Sequence, residues 1–235
     1  METLTLIGLA IAPALAIILF VYSRDKYEKE PRWVLFWAFV LGMISIIPAA
    51  FFESCFSSDF LNPVDTFIYA VFVVGLAEEG SKFFFLRIHA YRKKAFNEPF
   101  DGIMYAVMVS MGFATFENVL YVLSGGIEVA WLRMFTAVPA HAAFGIIMGY
   151  YAGKAKFGKN KFGTLLWGVF LAMLIHGLYD FFLFQQNWPG LSILAFVVLL
   201  IGIRLSFVAM RKSRENSPFR PFTPKYPEGN KPDRT

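Results

Sequence analysis

Runs of about 20 apolar residues recur along the whole chain, separated by short polar or basic connectors, and each run is long enough to cross a hydrocarbon core of ~30 Å. They lie at Thr3–Tyr22, Trp33–Phe52, Thr66–Leu86, Gly102–Leu123, Val129–Tyr151, Gly163–Phe184 and Gly190–Met210. In lipid the backbone must satisfy its own hydrogen bonds, so apolar spans of this length read as helices. The expected fold is therefore all-α: a polytopic integral membrane protein, a bundle of about seven transmembrane helices. Composition agrees, with 57% of the 235 residues hydrophobic and 17% charged, where soluble domains are about half apolar and a quarter charged. Residues 1–210 form one transmembrane domain on this reading, and 211–235 a basic, Pro-rich tail expected to be disordered in the cytoplasm.

Basic residues set the orientation. The first connector carries Arg24, Lys26, Lys29 and Arg32; the third Arg87, Arg92, Lys93 and Lys94; the fifth Lys154, Lys156, Lys159 and Lys161. The second, fourth and sixth (Glu53–Asp65, Ser124–Glu128 and Gln185–Pro189) have no Lys or Arg. This alternation places the basic loops in the cytoplasm, with the N-terminus outside and the C-terminus inside. The net charge of +5 is thus a topological signal, and no nucleic-acid partner is expected. The first run lacks a preceding positive charge and is followed by basic residues, the order of an anchor rather than of a cleaved signal peptide. The single cysteine, Cys55, cannot form an internal disulfide or a cysteine-based zinc site.

Helices three to six carry Glu78, Glu79, Lys82, Glu117, His141, His176 and Asp180 inside the expected membrane interior. A charge at a helix centre costs roughly 2.5–3.5 kcal/mol on insertion scales, so these groups facing lipid would cost about 17–25 kcal/mol. They must face one another or water. Glu78 and Lys82 are four apart, an ion-pair spacing on one helix face, and Glu79 fans out by about 100° from Glu78. His176 and Asp180 share a face, where an acid fixes the imidazole tautomer. Carboxylates with two histidines suit water activation by general acid–base catalysis. The same residues, Glu78, His141 and His176 foremost, could hold a divalent metal such as zinc. No H-E-x-x-H is present, a second mid-membrane aspartate is missing, and Ser81 and Ser110 have no local nucleophile signature.

The ordered set Glu78–Glu79–Gly80–Ser81–Lys82, Asp101–Gly102, Phe116–Glu117–Asn118, His141 and His176-x-x-x-Asp180 resembles the PrsW family of bacterial membrane proteases, relatives of the CAAX-type prenyl proteases. The wider CAAX pattern has an aromatic residue where this chain has Ala137, and an arginine one residue beyond Lys82, so prenylated-peptide processing fits less well. The resemblance implies a multi-pass protease of the bacterial cytoplasmic membrane. It would clip a single-pass, anti-sigma-factor-like membrane protein at site 1 of a regulated proteolytic cascade. It also implies Glu78 and Glu79 as the acid/base pair, with His141 activating water. His176 and Asp180 would stabilise the oxyanion or orient a ligand, and Glu117, Lys82 and Asn118 would support the site. The competing readings are a proton- or ion-coupled transporter, which also uses intramembrane acids, and a non-catalytic scaffold. No internal repeat supports transport.

Overall fold

A computed structural model describes residues 2–57, 62–185 and 188–221, and among these every regular element is helical. Helix α1 (Glu2–Arg24) is followed by α2 (Arg32–Ile44) and α3 (Ile46–Ser54), one span bent at Ser45. The bend has a cause in sequence: Pro48 has no N–H for the Ile44 carbonyl, and the Ser45 hydroxyl donates to Gly42 O at 2.6 Å. Helix α4 (Pro63–Ile68) starts on an Asn62 cap that accepts from Val64 N and Asp65 N, with Pro63 in the first turn. It continues through a π-helical segment, Tyr69–Gly75, into α5 (Leu76–His89). The expected ordinary helix Thr66–Leu86 is therefore interrupted, and the interruption ends just before Glu78.

Among the described residues five stretches are long and apolar enough to cross a membrane, and one of them, Pro99–Phe157, is 59 residues long. This stretch folds back on itself. Helix α6 (Pro99–Phe135) begins at a Glu98 cap where the Asp101 carboxylate accepts from Glu98 N at 2.7 Å. It is broken at Gly126, whose φ of +74° is a conformation side-chain-bearing residues avoid. Helix α7 (Ala137–Phe157) follows a second break at Thr136, where Pro139 cannot donate to the Phe135 carbonyl. The expected run Val129–Tyr151 is thus split between the end of α6 and α7. Helix α8 (Lys161–Leu183), a short 3-10 turn at Pro189–Ser192 and α9 (Ile193–Glu215) complete the bundle. Of the expected tail, 211–215 continue α9, and residues 222–235 lie outside the described residues.

The antiparallel α6–α7 pair is the centre of the molecule: the most apolar window of Pro99–Phe157 is 67% buried, against 22% for α1. Small residues set their separation. A Cβ at Gly149 would fall 2.7 Å from Ile103 Cα, and one at Gly145 2.7 Å from Ser110 Cβ, so both glycines allow backbone approach that lipid-embedded helices use in place of a hydrophobic driving force. Around this pair, side chains such as Leu4, Phe51 and Phe162 project outward, more than 70% exposed, as lipid-facing residues would. Gly149→Val should cost about 1–3 kcal/mol by overpacking and lower the thermal midpoint in detergent. Gly80→Ala, which meets nothing within 4 Å, should leave that midpoint nearly unchanged.

Candidate active site

The site begins where α5 leaves the π-helical segment. There the α8 backbone comes against it: a Cβ on Gly177 would fall 2.9 Å from Ala70 O, and one on Gly75 2.8 Å from Met173 O. This close approach carries His176 onto the first turn of α5. π-Type distortions are frequent at functional sites because they re-aim side chains within a helix.

The glutamate pair divides its work. Lys82 Nζ lies 3.0 Å from Glu78 Oε2 and 2.8 Å from Glu79 Oε1, and 3.1 Å from His141 Nδ1. An ammonium offers only protons, so the contact assigns Nδ1 as acceptor and puts the ring hydrogen on Nε2. That nitrogen donates to Glu117 Oε2 at 2.9 Å. His176 Nδ1 meets Glu79 Oε1 at 3.0 Å, while its Nε2 faces Asp180 Oδ2 at 3.2 Å and Glu78 Oε2 at 3.9 Å. Phe144 stacks on the His176 ring with centroids 4.7 Å apart, fixing its plane. Glu78, Glu79, Lys82, His141, His176 and Asp180 are all buried.

A cavity of about 450 Å³ opens over part of this cluster, lined by Glu78, Glu117, Arg133, His141, His176 and Asp180. Glu53 and Phe184, at the ends of α3 and α8, also line it, so it lies toward the connectors that carry no Lys or Arg. Glu79 and Lys82 are turned away from it, toward a gap with no room for water. Ser110 lines the same dry gap and donates to His141 O at 2.6 Å, an arrangement that holds α6 to α7 and turns its hydroxyl from the cavity.

The residues fit a metal ion. Glu78, Glu79, His141 and His176 each offer a ligand atom, and these atoms lie within 4.8 Å of one another. Glu79 Oε2 is buried with no hydrogen-bond partner, and mixed imidazole–carboxylate donors suit zinc and its neighbours. The sequence reading placed Glu78, His141 and His176 in this role; Glu79 stands within the same group but on its dry side.

Arg133 was not among the sequence candidates. Its NH2 pairs with Glu117 Oε2 at 2.6 Å, its Nε donates to Asn118 Oδ1 at 2.8 Å, and its guanidinium lies 4.1 Å from the centre of the Tyr121 ring. Asn118 in turn donates to Ala10 O at 2.8 Å, so it ties α1 to this group. The signal was present as a lone Arg inside an apolar run, two turns before His141.

A cluster of carboxylates and imidazoles at the base of a polar cavity, inside an all-helical bundle, is the kind of donor set a membrane-embedded hydrolase uses, and it could take a metal. The profile of the PrsW family of intramembrane metalloproteases matches residues 30–204. Among curated relatives, the protease PrsW of Oceanobacillus iheyensis is 40% identical over 215 residues, covering 91% of this chain and 98% of its own length. Protease PrsW of Geobacillus kaustophilus is 35% identical over 90% of this chain and 92% of its own, and that of Bacillus subtilis 36% identical over 78% and 85%. No solved structure matches. The chain belongs to the PrsW family, and it is a membrane peptidase, multi-pass in the bacterial cell membrane. Membership in a protease family sets aside the transporter and scaffold readings.

Arg133→Met leaves the Glu117 carboxylate without its cation and frees it to pull on His141. Loss of such an orienting partner typically costs 10–100-fold, so peptidase activity should fall by about that factor, with Arg133→Lys retaining more. Unchanged activity in both variants would show that Glu117 holds His141 unaided.

Proposed function

We propose that this peptidase cuts a single-pass membrane protein of the anti-sigma-factor kind at site 1, near the outer face, with Glu78, Glu79, His141 and His176 as its working centre. The observation that carries the reading is the position of Glu78: its carboxylate stands between two imidazoles at the floor of a cavity that lies toward the connectors without basic residues. With the basic connectors in the cytoplasm, the N-terminus outside and the C-terminus inside, that cavity faces the outer side of the bilayer.

Each residue then has a task set by its surroundings. Glu78 faces the cavity and is the group placed to take a proton from water and return it to the departing amine. His141, with Nδ1 turned to Lys82 and Nε2 to Glu117, stands beside Glu78 and holds these charged neighbours in register around it. Glu79 is out of reach of the cavity and accepts from His176 Nδ1, which leaves His176 Nε2, beside Asp180, directed at the reacting centre for oxyanion stabilisation or ligation. Lys82 neutralises the glutamate pair from behind. Glu78 and the two histidines would hold a divalent ion such as zinc, which when bound acidifies water and polarises a carbonyl.

Co-expression with a single-pass anti-sigma factor tests this. Glu78→Gln and His176→Ala, inserted at normal levels, should reduce cleavage by at least about 10²-fold, the scale of general acid–base catalysis. Glu79→Gln should fall by about 10–100-fold, because it acts through His176. Stripping metal with a membrane-permeant chelator should abolish cleavage, and added zinc should restore it. Undiminished cleavage by all three variants would remove the site assignment.

A further inference from the structure

A second group of acids lies at the other end of the bundle, among the basic connectors and far in sequence from the glutamate pair. Glu28 and Glu30 come from the connector between α1 and α2, and Asp101 from the first turn of α6; each offers a carboxylate oxygen, and these oxygens lie within 4.8 Å of one another. Glu30 is 2% exposed and Asp101 fully buried. In both, one oxygen is anchored and the other is left over. Glu30 Oε2 accepts from the Tyr105 hydroxyl, and Asp101 Oδ2 accepts from Asn97 N and Glu98 N, each at 2.7 Å. Glu30 Oε1, Asp101 Oδ1 and Glu28 Oε2 are buried and accept from no backbone, hydroxyl or cationic donor, and the Glu30 and Asp101 carboxyls lie within hydrogen-bond reach of each other.

A separate observation points the same way. Asp25, on the same connector and 1% exposed, has two carboxylate oxygens that are both buried and without a donor. The lysines nearby are engaged elsewhere. Lys29 Nζ donates to the carbonyls of Tyr22 and Asp25, and Lys156 Nζ to Tyr91 O at 2.7 Å and Lys93 O at 3.0 Å. Among the described residues no Lys, Arg or His nitrogen lies within ion-pair distance of these four carboxyls. A buried carboxylate stays charged when it is paired or coordinates a metal, and otherwise takes up a proton. Oxygen-only donors, all of them acidic, select hard divalent cations of the magnesium and calcium class.

We propose that Glu28, Glu30 and Asp101, with Asp25 beside them, form a second cation site that takes a hard divalent ion and clamps the α1–α2 connector to the start of α6. The site is distinct from the peptidase centre in donor type, since it has no imidazole, and in its place in the bundle. Its ion is structural: it holds the end of the bundle from which α6 rises toward Glu117.

The probe is Mn²⁺, followed by the loss of its free-ion paramagnetic resonance signal on titration into the full chain in detergent. A Glu78→Gln/His176→Ala background removes uptake by the peptidase centre. That background should still bind one Mn²⁺ per chain, displaced by Mg²⁺ or Ca²⁺ and not by low Zn²⁺. Adding Glu30→Gln and Asp101→Asn should abolish it, and Glu28→Gln, on the half-buried connector residue, should weaken it about tenfold. Mg²⁺ should also raise the thermal midpoint of wild type but not of Glu28→Gln, a readout that does not require the more buried variants to fold. The proposal is overturned if the background binds no Mn²⁺, in which case Glu30 and Asp101 share a proton instead. Binding indifferent to all three substitutions overturns it as well.

Discussion

The ammonium of Lys82 is the contact on which the centre of this molecule depends. It is buried, it is shared by Glu78, Glu79 and His141, and it lies 4.0 Å from the centre of the Phe113 ring. Two adjacent carboxylates in a dry interior repel each other and lose their hydration, and neither cost is met by the surrounding Val, Ala and Phe side chains. A single cation one turn along the same helix meets both, because the i,i+3 and i,i+4 positions lie on one side of the helix. The arrangement also spends the Nδ1 lone pair of His141 and so sends its ring hydrogen to Glu117. One buried charge thereby sets the protonation pattern of residues on three helices.

That network explains why the chain distorts its helices where it does. Glu78 and Glu79 must meet His176 from α8 and His141 from α7, and regular helices with ordinary side chains at the crossing would hold the rings too far away. The π-helical turn before α5 and the glycines at 75 and 177 bring α8 inward, and the break at Thr136 lets α7 start afresh just before His141. Backbone irregularity at membrane depth is tolerated only where protein or cavity covers it. Here it borders the cavity, with Tyr69 of the π segment and Ala137 of the first turn of α7 among its walls.

Much of this was legible in the chain before any coordinates. Hydrophobic length gave away the helical membrane class, since ~20-residue apolar spans admit few alternatives. The cost of intramembrane charge selected the candidate residues, and the structure brings Glu78, Glu79, Lys82, Glu117, His141, His176 and Asp180 into one connected group. What sequence could not yield was direction. Spacing shows that Glu78 and Glu79 diverge, but only the packing of α6 and α7 decides that Glu78 meets the cavity and Glu79 the dry side. Arg133 escaped notice because an arginine near an expected helix end is ordinarily free to reach the headgroups; here it turns inward because Glu117 and Asn118 are there to receive it.

The two acidic groups of this protein show how the same side chain serves different ends. Near the cavity, carboxylates alternate with imidazoles and each has a partner able to give or take a proton, the condition for moving protons at a reacting atom. At the other end, carboxylates stand among themselves, anchored on one oxygen and bare on the other, with their lysine neighbours bound to backbone carbonyls. The first arrangement is built to exchange charge and the second to be neutralised once and held. α6 joins them, with Asp101 in its first turn and Glu117 sixteen residues on, about 24 Å along a helix at 1.5 Å per residue. Fixing the start of that rod would fix the height at which Glu117 meets His141, because both acids stand on the same unbroken stretch of α6, ahead of its break at Gly126.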